Sequence, residues 1–246
     1  MKITYVHHSA FLVELTHAVL LFDYTQGPIP KLDTEKPLVI FSSHRHGDHF
    51  SDKIFDLKNG LGEVRYILSD DISKKRIREE LKSSVTFVKP GEDLRLSFCD
   101  GRIQGLKVTT FSSTDEGVAF LVQGEDAVIY HAGDLNNWRW EGEPEDWNLN
   151  MAKQYSREVD KMAGMKIDAA FLPLDPRQDA AFCLGFDEFM RKADVRYAFP
   201  MHCWGDFSVI GRLKEMPVSA PYRDRIVMIE RDGEQFVLGQ ESESHG

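Results

Sequence analysis

The run Leu38-Val39-Ile40-Phe41 constrains the fold most. Four consecutive apolar residues, three of them β-branched or aromatic, predict a strand buried on both faces. The chain leaves this strand through Ser42-Ser43 and enters His44-Arg45-His46-Gly47-Asp48-His49. Three imidazoles and a carboxylate thus stand together on the loop after a buried strand.

The surrounding pattern is strand-rich. Short β-rich runs cover Ile3 to Val6, Ala10 to Glu14 and Val19 to Phe22, and Gly27-Pro28-Ile29-Pro30 marks a loop. Ser51 reads as a helix cap ahead of Ile54, Phe55 and Leu57. Further strands are predicted at Val64 to Leu68, Val85 to Val88, Leu94 to Phe98, Leu106 to Phe111, Val118 to Val122, Ala127 to His131, Ala169 to Leu172 and Tyr197 to Pro200. Helices are predicted at Ser73 to Leu81, Leu149 to Met162 and Phe186 to Ala193. Gly133 to Asn148 reads as a long loop, Ile226 to Ile229 with Gln235 to Leu238 as a closing hairpin, and residues 241–246 as a frayed end. Each half offers strands, a polar loop and then helices, which suits two packed sheets with helices outside. No linker divides the chain, so residues 1–246 are expected to form a single domain.

Composition narrows the function. Lys plus Arg number 30 and Asp plus Glu 40, a formal charge of −10. That balance disfavours nucleic acid and anionic membrane surfaces as partners. Lys74-Lys75-Arg76-Ile77-Arg78 is offset by Glu79-Glu80 and reads as a solvated face. Cys99, Cys183 and Cys203 form an odd set without a C-x-x-C pair, which fits a reducing compartment. The N-terminal residues lack the apolar core of a signal peptide, and no apolar run is long enough to cross a bilayer. A cytoplasmic protein is expected, with a small-molecule substrate and with homo-oligomerisation left open.

Imidazole and carboxylate are ligands for Zn²⁺ and also suit Mn²⁺ or Fe. His44 and His46 project to one side of an extended segment, while Asp48 and His49 follow the turn and can serve a neighbouring position. One loop can therefore contribute to two adjacent metals. A His-rich solvated loop is the bland alternative, and six residues do not complete a site by themselves.

The pattern His44-x-His46-x-Asp48-His49 resembles the H-x-H-x-D-H signature of the metallo-β-lactamase superfamily. The likeness extends over nearly the whole chain. Phe22-Asp23 resembles the early Asp that braces the metal loop, and Tyr130-His131-Ala132-Gly133-Asp134 the late strand ending in a bridging Asp. Ala198-Phe199-Pro200-Met201-His202 resembles the last strand, which ends in a ligand His. His7-His8-Ser9-Ala10-Phe11-Leu12-Val13-Glu14 is similar to the opening of a cytoplasmic branch that contains an ascorbate-phosphate lactonase.

The resemblance implies an α/β (α+β) fold, a four-layer αββα sandwich with its site at one edge. It implies one or two Zn²⁺ ions, with Mn²⁺ or Fe as substitutes, held by His44, His46, Asp48, His49, Asp134 and His202. Asp23 would support the ligands through hydrogen bonds, and His131 would either do the same or simply be buried. Asp48 would also orient or accept a proton during attack by water whose pKa the metal lowers to roughly 7.

The chain departs from the pattern at one point. A third His is expected near Ser113, and Thr109 to Gly117 contains none. A hydroxyl is a poor ligand beside imidazole. The first position is therefore weak or empty, filled by water, or supplied by Asp115 or Glu116, with Asp115 as the favoured replacement ligand. His8, Trp138, Trp140, Trp204 and Asp206 lie in loops at the expected site edge. His8 and Trp204 are the substrate-binding candidates, against the alternative that such loops merely pack. Cys203 reads as a buried inert thiol, and His17 and His245 as surface residues. The expected function is hydrolysis of a small ester, lactone, amide or phosphodiester. The alternative is a diverged metal-binding protein with little or no turnover, motivated by Ser113.

Overall fold

The computed structural model describes residues 1–58, 60–98 and 105–239. Cys99, His245 and the expected frayed end at 241–246 lie outside the described residues. In chain order the elements are β1 (Lys2–His7), β2 (Ala10–Glu14), β3 (Val19–Phe22), β4 (Leu38–Ser42), β5 (Val64–Ser69), β6 (Val85–Val88), β7 (Asp93–Leu96), β8 (Leu106–Ser112), β9 (Val118–Gly124), β10 (Ala127–His131), α1 (Glu145–Asp160), β11 (Lys166–Pro173), α2 (Leu184–Lys192), β12 (Asp194–Met201), α3 (Ser208–Glu215) and β13 (Gln235–Val237).

The strands form two mixed sheets, ordered β13-β1-β2-β3-β4-β5-β6 and β12-β11-β10-β9-β8-β7. Period-two alternation explains how the first sheet is covered twice. Leu20, Phe22, Val39 and Phe41 face the core between the sheets. Leu21, Leu38, Ile40, Tyr66 and Leu68 face an outer cluster with Phe50, Ile54 and Phe55. Every residue of β4 is buried, as its sequence predicts. Between the sheets, Phe11 stacks on Phe171 at 4.1 Å and Phe41 meets Phe120 edge-on at 5.2 Å. On the far side of the second sheet, Phe189 of α2 stacks on Tyr130 at 4.7 Å. Two sheets flanked by helices make an α+β sandwich, the architecture that the resemblance implies.

Three local expectations fail, each for a physical reason. The helix predicted at Ser73 to Leu81 is two short 3₁₀ turns, Lys74–Arg76 and Glu79–Ser84. Arg76 and Arg78 reach outward to Asp52 and Asp56 while Ile77 between them is buried. That alternation requires an extended backbone, not a helix. The loop expected as far as Asn148 ends earlier, because Pro144 followed by Glu145 and Asp146 starts α1. The helix α3 was not anticipated from sequence. The closing hairpin is absent: Ile226 bridges to Ala198 beside β12, whereas β13 pairs with β1 through Ile3 and Phe236. Each segment takes the open edge of a different sheet, so the C-terminal stretch ties the two sheets together.

Candidate metal centre

Strand direction brings the sequence-distant residues to one edge. β3 and β4 are parallel, and β1 is antiparallel to β2, which is antiparallel to β3. β1, β3 and β4 therefore end on the same side, delivering His8, Asp23 and the His44–His49 loop. In the second sheet β10, β11 and β12 are parallel. β8 shares their direction, since β9 is antiparallel to both β8 and β10. Their ends carry Asp134, Asp175, His202 and the 113–117 turn. Ligand sites gather at the carboxyl ends of parallel strands for this reason.

Two donor groups stand at this edge. His44, His46, Asp115 and Asp134 offer ligand atoms within 4.8 Å of one another, and so do His8, Asp48, His49 and His202. In the first group His44 Nε2 lies 3.0 Å from His46 Nδ1 and 3.5 Å from Asp134 Oδ2. Asp115 Oδ2 lies 3.3 Å from His46 Nδ1. Ser113 is not itself a donor here. Its hydroxyl accepts a hydrogen bond from the Asp115 N–H at 3.1 Å, which folds the turn that carries Asp115 inward.

In the second group Asp48 Oδ2 lies 3.5 Å from His8 Nε2 and 3.8 Å from both His49 Nε2 and His202 Nε2. Asp134 belongs to the first group and also faces the second. Its Oδ1 lies 3.1 Å from His49 Nε2 and 3.5 Å from His202 Nε2, while Oδ2 faces His44. The sequence expectation put His8 with the substrate, and the structure brings its Nε2 among the donors.

The donor set fits a cation. Nε2 of His8, His49 and His202 and Oδ1 of Asp134 are buried without a hydrogen-bond partner among the described residues. The 3.1 Å approach of His49 to Asp134 lacks hydrogen-bond alignment. Unpaired buried polar atoms cost about 1–3 kcal/mol each, and four of them converge. Separations of 3.0–3.8 Å are those of neighbouring ligands around one ion with bonds of roughly 2.1 Å. Burial pushes the His44 imidazole down to about 4 and lowers that of His8, so both rings are neutral donors at pH 7. Burial opposes the charge on Asp134, but His49 and His202 hold its carboxyl below the ordinary range.

Buried partners orient the candidate ligands from behind. Asp23 Oδ2 accepts from Ser43 Oγ at 2.6 Å and from His49 Nδ1 at 2.7 Å, and Oδ1 accepts from the Ser43 N–H. That bond turns His49 Nε2 toward Asp134 and Asp48. Burial disfavours a charged ring there, but Asp134 and Asp23 raise this imidazole well above its ordinary value, so a metal would bind by displacing a proton. Asp175 acts in the same way on His202, accepting from its Nδ1 at 2.9 Å. His131 donates from Nε2 to the Ser9 carbonyl, and its Nδ1 accepts from the Gly133 N–H at 3.1 Å. It thereby braces the turn that aims Asp134. His8, Asp23 and His202 all have positive φ (53°, 46° and 63°), a sparsely populated conformation that side-chain residues adopt chiefly at functional sites.

Residues 2–142 match the Beta-lactamase superfamily domain. The chain belongs to the beta-lactamase superfamily. A relative from Methylacidiphilum infernorum, named a metal-dependent hydrolase, is 28% identical over 209 residues, covering 79% of this chain and 80% of its own length. The solved structure of Igni18, a metallo hydrolase from Ignicoccus hospitalis, matches with a TM-score of 0.62 at 19% identity, over 97% of this chain and 99% of that one. The metallo-beta-lactamase fold protein YhfI from Bacillus subtilis matches with a TM-score of 0.60 at 13% identity, over 96% and 99%. At these identities the structural likeness is one of fold. By family the chain is a metal-dependent hydrolase.

Within this superfamily site, sequence reasoning missed Asp175 and Arg177. The only signal was their place just after a buried strand, in Leu174-Asp175-Pro176-Arg177. A cavity of about 370 Å³ opens above the donors, walled by Trp138, Trp140, Trp147 and Trp204. Trp138 Nε1 donates to the Asp134 carbonyl at 2.8 Å, so that wall is fastened to the metal loop. Asp206 is not part of the site, because its carboxylate accepts from Ser208. Cys203 turns away, with Sγ 3.7 Å from the Met201 carbonyl.

Proposed function

We propose that this hydrolase cleaves a small ester, lactone, amide or phosphodiester at a two-ion centre bridged by Asp134. His44, His46 and Asp115 would complete one side, and His8, Asp48, His49 and His202 the other. The division of the two Asp134 oxygens between two donor groups carries this reading. Divalent ions held there would supply Lewis acidity and water activated near neutral pH.

The chain's own residues do the rest. Asp48, part-exposed beside the cavity, orients the attacking water, with His8 and His49 holding its carboxyl ionised against burial. Asp175 keeps His202 in the tautomer with Nε2 free. The tryptophan walls offer an apolar surface for a small ligand, since about 370 Å³ is near the lower end of the roughly 300–1,000 Å³ range for such sites. The alternative of metal binding without turnover was motivated by the gap at Ser113, and Asp115 beside His46 weakens that motive.

Zinc is the proposed metal, with Mn²⁺ or Fe favoured on the His44 side by its mixed imidazole and carboxylate donors. A cytoplasmic location accords with Cys183 and Cys203 being free and buried. Among the described residues no helix is long and apolar enough to cross a membrane. Elemental analysis of protein purified without added metal is expected to find more than one equivalent of transition metal per chain. Turnover on an ester, lactone and phosphodiester panel should vanish on chelation. Metal-free protein that still turns over would overturn the proposal.

Asp115→Ala is expected to weaken binding of one ion selectively, by at least the roughly 10–100-fold that loss of a supporting partner costs. A metal titration should then resolve one tight and one weak equivalent. Two unchanged equivalents would remove Asp115 from the ligand set.

A further inference from the structure

The proposed chemistry leaves one charged side chain of the cavity unused. Arg177 is the only Lys or Arg among the residues lining the pocket above the donor groups. It is rigidly held. Its backbone N–H donates to Asp175 Oδ1 at 2.9 Å, its Nε donates to both carboxylate oxygens at 3.0 Å, and its Nη2 donates to Oδ2. The guanidinium lies over the Trp204 ring at 4.2 Å and within 5.9 Å of Trp140. A guanidinium stacked on one indole with a second nearby presents its edge, not its covered face, to a ligand.

That edge is free. Nη1 makes no hydrogen bond among the described residues, and the side chain is 49% exposed. Nor does the carboxylate beneath Arg177 serve it alone. Asp175 also accepts from His202 Nδ1 at 2.9 Å and from Trp204 Nε1 at 3.2 Å, so its charge is shared among three donors. A fixed planar cation with an open edge, in an otherwise aromatic wall, recognises a planar or tetrahedral oxyanion. Arg177 lines the same cavity as Asp48, Asp134 and His202, so a single small molecule can reach both Arg177 and the proposed metal centre.

We infer that Arg177, held over Trp204 and near Trp140, binds a carboxylate or phosphate group of the substrate whose scissile bond lies over Asp134. The substrate class is then a small anionic ester, lactone, amide or phosphodiester with an apolar body. This rests on the hydrolase reading for the scissile bond, but the anion subsite is testable without turnover.

The test is tryptophan fluorescence titration of the metal-loaded protein with benzoate, phenyl phosphate and neutral benzamide. Both anions, or the one the subsite accepts, should bind more tightly than benzamide. Arg177→Gln should weaken anion binding by roughly 10–100-fold, the worth of a hydrogen bond to a charged group, and leave benzamide unchanged. Arg177→Lys, which keeps the charge but loses the planar fork, should lose less. Metal content and circular dichroism should match the parent in Arg177→Lys.

Anion binding that survives Arg177→Gln but disappears on chelation would overturn the inference, because the anion would then sit on the metal alone. Loss of metal in both variants would also overturn it, reducing Arg177 to a support for Asp175. The two readings fail separately. A protein that binds anions through Arg177 but hydrolyses nothing loses the hydrolase reading only. One that turns over neutral esters as well as anionic ones, with the same rate in Arg177→Gln, loses the anion subsite only.

Discussion

Asp134→Asn is expected to abolish turnover and release at least one metal ion per chain. The substitution keeps the shape of a buried side chain but removes the charge that both donor groups face. An amide offers one oxygen where the carboxylate offers two, so one group must lose its shared ligand. Losing a mere hydrogen-bonding partner behind a ligand costs roughly 10–100-fold. Losing the bridge should exceed that, with kcat/KM falling by about 1,000-fold or more, equivalent to about 4 kcal/mol in the barrier. Elemental analysis and kcat/KM, measured on the same preparation, decide the matter. Retention of two ions with activity near the parent's would show that Asp134 bridges nothing.

Gly117→Ala should be the most damaging small change outside the donor set. Gly117 has φ of 69°, and an added Cβ would overlap the Ser43 carbonyl oxygen and lie 2.6 Å from the His44 Cβ. The neighbours have nowhere to go. The Ser43 carbonyl already accepts from the Val118 N–H at 2.9 Å, and Ser43 is tied to Asp23 by two further bonds. Overpacking costs about 1–3 kcal/mol and the left-handed conformation about 1–2 kcal/mol for a residue with a Cβ. A combined loss of about 2–5 kcal/mol corresponds to a fall in Tm of roughly 10 °C for a chain of this size. Because the displaced atoms belong to the His44 loop and the Asp115 turn, metal on that side should be lost as well. Thermal unfolding with a metal assay checks both. An unchanged Tm with full metal content would mean that the turn relaxes freely.

The two substitutions probe parts of the site that differ in how far the sequence reveals them. Asp134 was legible because Gly133-Asp134 follows a strand and a separate histidine cluster stands upstream. Gly117 was not, since its importance comes from Ser43, a residue 74 positions earlier that only strand pairing brings near it. The same contrast runs through the fold. β2, β3, β6 and β10 have the predicted ends because alternation and flanking turns are local signals. The Ser73 to Leu81 segment misled because Ile72, Ile77 and Leu81 fit a helical face as well as they fit an extended stretch pinned by Arg76 and Arg78.

His8 illustrates how a residue can be singled out correctly and given the wrong neighbours. Its position beside the site followed from the opening strand. The direction of its ring depends on a φ of 53°, which no periodicity encodes. Asp175 and Arg177 escaped notice because an acidic residue and a basic residue after a strand are common. Their meaning comes from contact with His202 and Trp204, 27 residues away for both pairs.

The sequence by itself determined that buried strands end in a cluster of candidate metal-binding residues, because hydrophobic periodicity and donor spacing are properties of short segments. Only the tertiary structure decided that the donors divide into two groups around Asp134, that Asp115 stands where an imidazole was expected, and that Arg177 faces the cavity. These depend on which strands run parallel, which edges remain open, and which residues are forced into left-handed conformations. All three are outcomes of long-range packing between the sheets.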